Sequence, residues 1–454
     1  MTSDSVDIAA FMDGRRMSPY QYMVIALCGL TMIADGFDTQ AISYAAPLIA
    51  KEWGLSQATL GPIFSSGLVG LMVGYLILPP LSDRFGHRPL IILGAVFFGI
   101  FTWLTVYAHG LIELMALRFL AGIGLGGVAP SAVAMTCDFS PRRSRATFVL
   151  IIYCGFSLGF VIAGLLAAKL IPSFGWRALF HVGGLAPLAL VVLLVPFLPE
   201  SPDHLVSRKS SGEKVAAILR RIDRTLNLSL SATTSFTTAE RETGGVVQRL
   251  FQQRRGLSTA LLWLVFFINL AEFYALQSWL PTVLRGLNYS MDQVALTTSL
   301  TTIGGILIVF VVGPCMDRLG SYTTVCILYL AGAVVIVLTG LVLTMPIGVV
   351  MVATFLTGVC ISGGQKSAIA LAAIHYPAAI RSTGVGWALG MGRLGGIAGP
   401  LAVGALFSTG WTPQWIFCVA GVPMFIAAIA ILLIARGRQQ AVAMEQEQVA
   451  ARVA

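Results

Sequence analysis

Apolar residues run along this chain in long blocks separated by short polar stretches, and nowhere in the strict alternation of a barrel strand. A helix needs roughly 17–25 apolar residues to cross a hydrocarbon layer of about 30 Å. Twelve blocks meet that length. They predict helices over 21–46, 56–79, 89–108, 112–136, 146–170, 178–198, 258–283, 294–316, 322–343, 347–374, 384–408 and 413–435. The fold class expected is an all-α membrane protein with twelve transmembrane helices.

Polar residues inside those blocks are the informative exceptions. Thr31 to Pro47 reads TMIADGFDTQAISYAAP, which sets Asp35 and Asp38 about one turn apart, on one helix face. An ionisable group at bilayer depth costs on the order of 2.5–3.5 kcal/mol, so such carboxylates face a cavity or a partner charge and mark a solute or proton path. Two acids this close, partly desolvated, favour proton uptake by one of them, and a nearby Arg118 would oppose it when paired. The bland alternative is a helix-breaking Asp-Gly or a static ion pair. Away from the block ends, the other charges within the blocks are Arg118, Glu272, Lys366 and Arg393. Lys366 lies ten residues before Tyr376, roughly 15 Å from that helix end and beyond easy snorkelling.

Composition sharpens the class. Only 11% of the 454 residues are charged and 57% are hydrophobic, against about a quarter charged in soluble proteins. The net charge of +9 would suit nucleic acid, but 22 of the 29 Lys and Arg fall in segments that an even helix count puts on one side. The positive-inside rule makes that side, with both termini, cytoplasmic. The basic excess is a topology signal with anionic lipid as a secondary partner, and no nucleic acid is expected. The seven cysteines stand singly without CxxC spacing, so no metal or disulfide is expected. No GxxxxGK[ST] loop is present for ATP, and no cofactor is expected. The polar start lacks a small-residue cleavage site, so the first helix is expected to stay.

The chain also repeats itself. Asp83-Arg84-Phe85-Gly86 recurs 234 positions later as Asp317-Arg318-Leu319-Gly320, and Pro141 with Arg145 recurs 236 later as Pro377 with Arg381. Six helices plus six follow. The expected organisation is a cytoplasmic tail over 1–20, a six-helix half over 21–198, a cytoplasmic linker over 199–256, a second half over 257–435 and a cytoplasmic tail over 436–454. The linker holds ten Lys or Arg and six Asp or Glu.

The loop Pro79-Pro80-Leu81-Ser82-Asp83-Arg84-Phe85-Gly86-His87-Arg88 resembles the G-x-x-x-D-R-x-G-R-R/K signature of the major facilitator superfamily, with Pro79 in place of the glycine and His87 in place of one basic residue. Arg118 to Gly127 is similar to that family's R-x-x-x-G-x-G helix. The resemblance implies two pseudo-symmetric halves, a cavity lined by helices 1, 4, 7 and 10, and a gating role for Asp83, Arg84, Arg88, Asp317 and Arg318. DGFDTQ in helix 1, Trp279-Leu280-Pro281-Thr282, and GGQK with YPAAIRSTGVGWALGMGRLGGIAGP further resemble the aromatic acid:proton symporter family. That implies import of a benzoate, hydroxybenzoate, protocatechuate or gentisate with protons by alternating access, across a bacterial cytoplasmic (inner) membrane, by a monomer.

An importer of such an anion needs a cation, a protonatable acid and ring-compatible walls. Asp35, Asp38, Arg118 and Glu272 are the proton-coupling candidates. Glu272 falls about 236 residues after Asp35, at the corresponding place in the second half. Lys366 and Arg393 are the candidate cations for the carboxylate, although Lys366 could instead pair permanently with Glu272 or an aspartate, and Arg393 could be a packing cation. Tyr44, Tyr274 and Trp279 are wall candidates, and Gln40, Gln277 and Gln365 are candidate partners for a phenolic hydroxyl. The alternative cargo is a muconate-like dicarboxylate or a sugar, of which the sugar requires no cation such as Lys366. An enzyme would show a clustered nucleophile and base, and a sensor an extramembrane signalling domain; neither pattern is present.

Overall fold

In the computed structural model, residues 5–208, 212–223, 235–237, 250–251, 255–376 and 381–453 are described. Twelve helices in them are long and apolar enough to cross a membrane, and the chain is a multi-pass membrane protein. In chain order they are α1 (Pro19–Trp53), α2 (Leu60–Phe85), α3 (His87–Leu104), α4 (Leu111–Asp138), α5 (Arg142–Phe174) and α6 (Arg177–Phe197). There follow α7 (Gly256–Gly286), α8 (Met291–Leu307, resuming as Val309–Leu319), α9 (Ser321–Val342), α10 (Ile347–His375), α11 (Arg381–Ser408) and α12 (Pro413–Val453).

Several helices outrun their expected ends. Helix α1 continues through Pro47 and α2 through Pro79 and Pro80, because without water the backbone keeps its helical bonds and neighbouring helices absorb the lost donors. Asp35-Gly36 lies inside continuous helix and does not break it. The short helices Ile8–Asp13, Pro202–Ser207 and Gly212–Ile222 lie outside the spans. A three-residue parallel pair, β1 (Ser5–Asp7) with β2 (Ser235–Thr237), lies outside the spans and leaves the all-α class unchanged. It forms in polar segments beyond the apolar blocks, where helical periodicity has ended.

The chain separates into two compact units, one of Met1–Ala45 with Ser66–Thr243 and one of Ala46–Ser65 with Gly244–Ala454. Glycines bring helices together in each. In the first unit, a Cβ on Gly36 of α1 would strike the Phe156 carbonyl of α5, and one on Gly70 of α2 would strike the Phe119 carbonyl of α4. In the second, Gly395 of α11 meets the Phe267 carbonyl of α7, and Gly358 of α10 meets the Thr301 carbonyl of α8. Each pairing recurs six helices later. The loop repeat is equally physical: α2 stops at Gly86 with φ +107, and the Asp317-containing helix stops at Gly320 with φ +87. Both φ values lie in the region that glycine enters without penalty.

Candidate functional site

In the first unit, Asp38 and Arg118 form a buried ion pair, Nη1 to Oδ1 3.0 Å, with each side chain 4% exposed. Helix α1 supplies the acid and α4 the base, and the end of α3 supplies the polar bridge. The Thr102 hydroxyl donates to Asp38 at 2.6 Å, and Arg118 Nη2 donates to Thr102 at 2.8 Å and Thr105 at 3.4 Å. The guanidinium carbon stands 5.1 Å from the Phe180 ring centroid of α6, a cation–π contact. Arg118 Nε is buried and has no hydrogen-bond partner among the described residues. Asp35 is buried beside this pair in sequence, and the Thr39 hydroxyl lies at a long 3.5 Å from its Oδ1. Gln40 and Tyr44, further along α1, are buried.

This arrangement can switch. Buried opposite charges hold each other only while both are present. A proton on Asp38 removes its charge, and Arg118 must then find another anion. Thr102 and Thr105 complete the cluster, and sequence reasoning passed over them. Their signal was a Thr-x-x-Thr spacing at the end of an apolar block.

In the second unit the polar residues separate into small groups. Arg393 donates from Nη1 to the Tyr274 hydroxyl at 2.9 Å. Gln277 donates to Thr301 at 3.0 Å and Thr302 at 3.3 Å. Lys366 Nζ donates to the Gly305 carbonyl of α8 at 2.5 Å, and Gln365 beside it is half-buried. Trp279 donates its indole N–H to the Pro400 carbonyl at 3.1 Å and stacks on Phe407, contacts that tie α7 to α11. Glu272 lies in a cavity with hydrocarbon walls, and among the described residues no hydrogen bond or ion pair reaches its carboxylate. It is therefore not the partner of Lys366. No group of three or more His, Cys, Asp or Glu comes together among the described residues as a metal ion would require.

At the loop after α2, the side chains of Asp83 and Asp317 lie outside the described residues. Arg84 is exposed and lies over its neighbour Phe85, and Arg318 is exposed. Arg88 donates to the Val195 carbonyl at 2.6 Å. The organising acid is Glu200, to which sequence reasoning assigned no role. Its Oε1 accepts from the backbone N–H groups of His87 at 3.0 Å, Arg88 at 3.3 Å and Ser201 at 2.9 Å. A carboxylate at the N-terminus of α3 satisfies donors that the helix leaves open. Glu200→Ala is expected to lower thermal stability by about 1–3 kcal/mol through those orphaned N–H groups, read as an earlier melting transition of the purified chain; unchanged melting would refute the anchoring role.

Comparison with known proteins follows the same lines. The sequence model described as Major Facilitator Superfamily matches residues 28–282 and 262–451. The 4-hydroxybenzoate transporter PcaK of Pseudomonas aeruginosa is 37% identical over 436 residues, covering 95% of this chain and 96% of that protein. A gallate transporter of Pseudomonas putida is 36% identical over 438 residues, covering 96% of each. Among solved structures, a D-xylose-proton symporter superposes with a TM-score of 0.72 at 18% identity, over 91% of this chain and 97% of that one. At that identity the likeness concerns the fold alone.

Proposed function

This chain belongs to the major facilitator superfamily, and from that we propose that it imports an aromatic carboxylate together with protons by alternating access. The substrate class is supported by the relatives, named for 4-hydroxybenzoate and gallate at 36–37% identity over nearly the whole chain. The single structural observation that carries the coupling is the buried Asp38–Arg118 pair bridged by Thr102. A proton arriving on Asp38 releases Arg118, whose free Nε donor and loosened Nη groups then suit an incoming carboxylate. Proton and anion are thereby taken up together. Asp35, one turn away, is the acid from which Asp38 can receive or to which it can return the proton.

Within the second unit we propose Lys366 as an anion-attracting cation, with Arg393 beside Tyr274 and Gln277 beside Thr301 as donors for ring hydroxyls. The topology we propose has both termini cytoplasmic, the exposed Arg84 and Arg318 on that side, and the bacterial inner membrane as the site. We propose a monomer as the working unit, in contact with membrane lipid.

The test is uptake of radiolabelled benzoate, 3- and 4-hydroxybenzoate, protocatechuate, gallate and gentisate into proteoliposomes under an imposed inward proton gradient. Accumulation of at least one acid, abolished by collapsing the gradient, is expected. Folded protein that accumulates none of them would refute the substrate class. In the same vesicles, Lys366→Ala is expected to raise KM about tenfold with kcat nearly unchanged, the loss of about 1.4 kcal/mol of anion attraction. An unaltered KM would remove Lys366 from the binding site.

A further inference from the structure

Glu272 has no task in that scheme, and its surroundings suggest one. It sits about 24 Å along a helix of roughly 46 Å at 1.5 Å per residue, near the middle of a helix long enough to span a membrane. It is 9% exposed and borders a half-open cavity of about 460 Å³ lined within the second unit by α7, α9, α10, α11 and α12. Phe267, Leu276, Ala402, Phe407 and Phe417 are typical of the walls. The remaining polar side chains of the lining are committed elsewhere: the Thr357 hydroxyl to Thr339 and Ala353, the Trp279 indole to Pro400. The carboxylate of Glu272 is thus the one polar side-chain group left open among the described lining residues. Leu264, Val419 and Ile426 of the lining are exposed, so the cavity opens on an apolar helix surface.

A carboxylate in such a place is costly unless something answers it. We propose that this cavity binds a lipophilic amine, an alkyl or arylalkyl body carrying one basic nitrogen, which reaches it from the hydrocarbon of the bilayer. The volume falls within the range of small-ligand pockets. The charge selects the head group: the ammonium pairs with Glu272, an alcohol forms only a weaker hydrogen bond, and an acid sets like charges together. The transported carboxylates are excluded by the same rule, so this site is separate from the cargo site and independent of the transport reading.

The test is equilibrium binding of tritiated decylamine to the purified full-length chain in detergent, with decanol and decanoate as competitors. Saturable one-site binding is expected, with decanol and decanoate at least about tenfold weaker as competitors. Glu272→Gln, verified as folded by its melting transition, is expected to weaken decylamine at least tenfold. Saturating 4-hydroxybenzoate should leave binding unchanged. Equal competition by decanol would overturn the proposal on the unmutated protein, whether or not the variant folds. Absence of saturable binding, or Glu272→Gln binding as the wild type does, would overturn it as well.

Discussion

Asp38→Asn is expected to cut gradient-driven accumulation by at least about 100-fold, some 2.7 kcal/mol at 1.36 kcal/mol per tenfold. Asparagine keeps the shape and can still accept from Thr102, but it carries no charge and exchanges no proton. Arg118, 4% exposed, is then buried without its counter-ion. Breaking such a pair costs about 3–5 kcal/mol, so melting should fall too. Two further measurements separate coupling from stability. The double variant Asp38→Asn, Arg118→Gln should recover much of the melting temperature and none of the accumulation. Exchange of labelled for unlabelled acid, without a gradient, should persist in Asp38→Asn at a reduced rate. Accumulation at the wild-type level would end the coupling role of Asp38.

Gly36→Val is expected to leave little folded protein. Gly36 stands where α1 crosses α5, and an added Cβ would collide with the Phe156 carbonyl. Gly159 makes the reverse approach to the Ile33 carbonyl, so neither helix has slack to give. Overpacking a tight core contact costs about 1–3 kcal/mol when side chains can adjust, and here the obstacle is backbone. Separating the helices would also displace Asp35 and Asp38, which flank Gly36. Gly29 offers the control within the same helix, since its Cβ would meet Ile152 at 3.9 Å, an ordinary contact. Gly29→Ala should therefore yield monodisperse protein by gel filtration, whereas Gly36→Val should not. Equal yields would show that the crossing relaxes and that the glycine is not a packing requirement.

These variants also mark how far the sequence could be read. The acid pair at Asp35 and Asp38 was legible because a carboxylate within an apolar block is anomalous in itself. Arg118 was legible for the same reason, and its pairing with Asp38 rather than Asp35 was not, since both acids share a helix face at one-turn spacing. Thr102 and Thr105 were missed because hydroxyls are ordinary in membrane helices, and Glu200 was given no role because a lone glutamate in a polar loop is ordinary anywhere. Their roles come from partners distant in the chain, 64 residues away for Thr102 and Asp38 and 113 for Glu200 and His87. Trp279 was read as a wall for an aromatic ring, and the structure adds that its indole N–H holds α7 to α11.

What the sequence determined by itself is the number of membrane helices, their rough limits, the internal repeat and the presence of ionisable groups at depth. These follow from local chemistry: hydrocarbon admits only long apolar runs, so run length and each interruption are informative without knowledge of neighbours. Only tertiary structure decided which buried charge answers which, that Lys366 turns to a carbonyl of α8, and that Glu272 faces hydrocarbon walls. A helix presents a residue to one direction among several, and what stands in that direction depends on how other helices cross it. In this chain glycines set those crossings, because a missing Cβ lets two backbones meet.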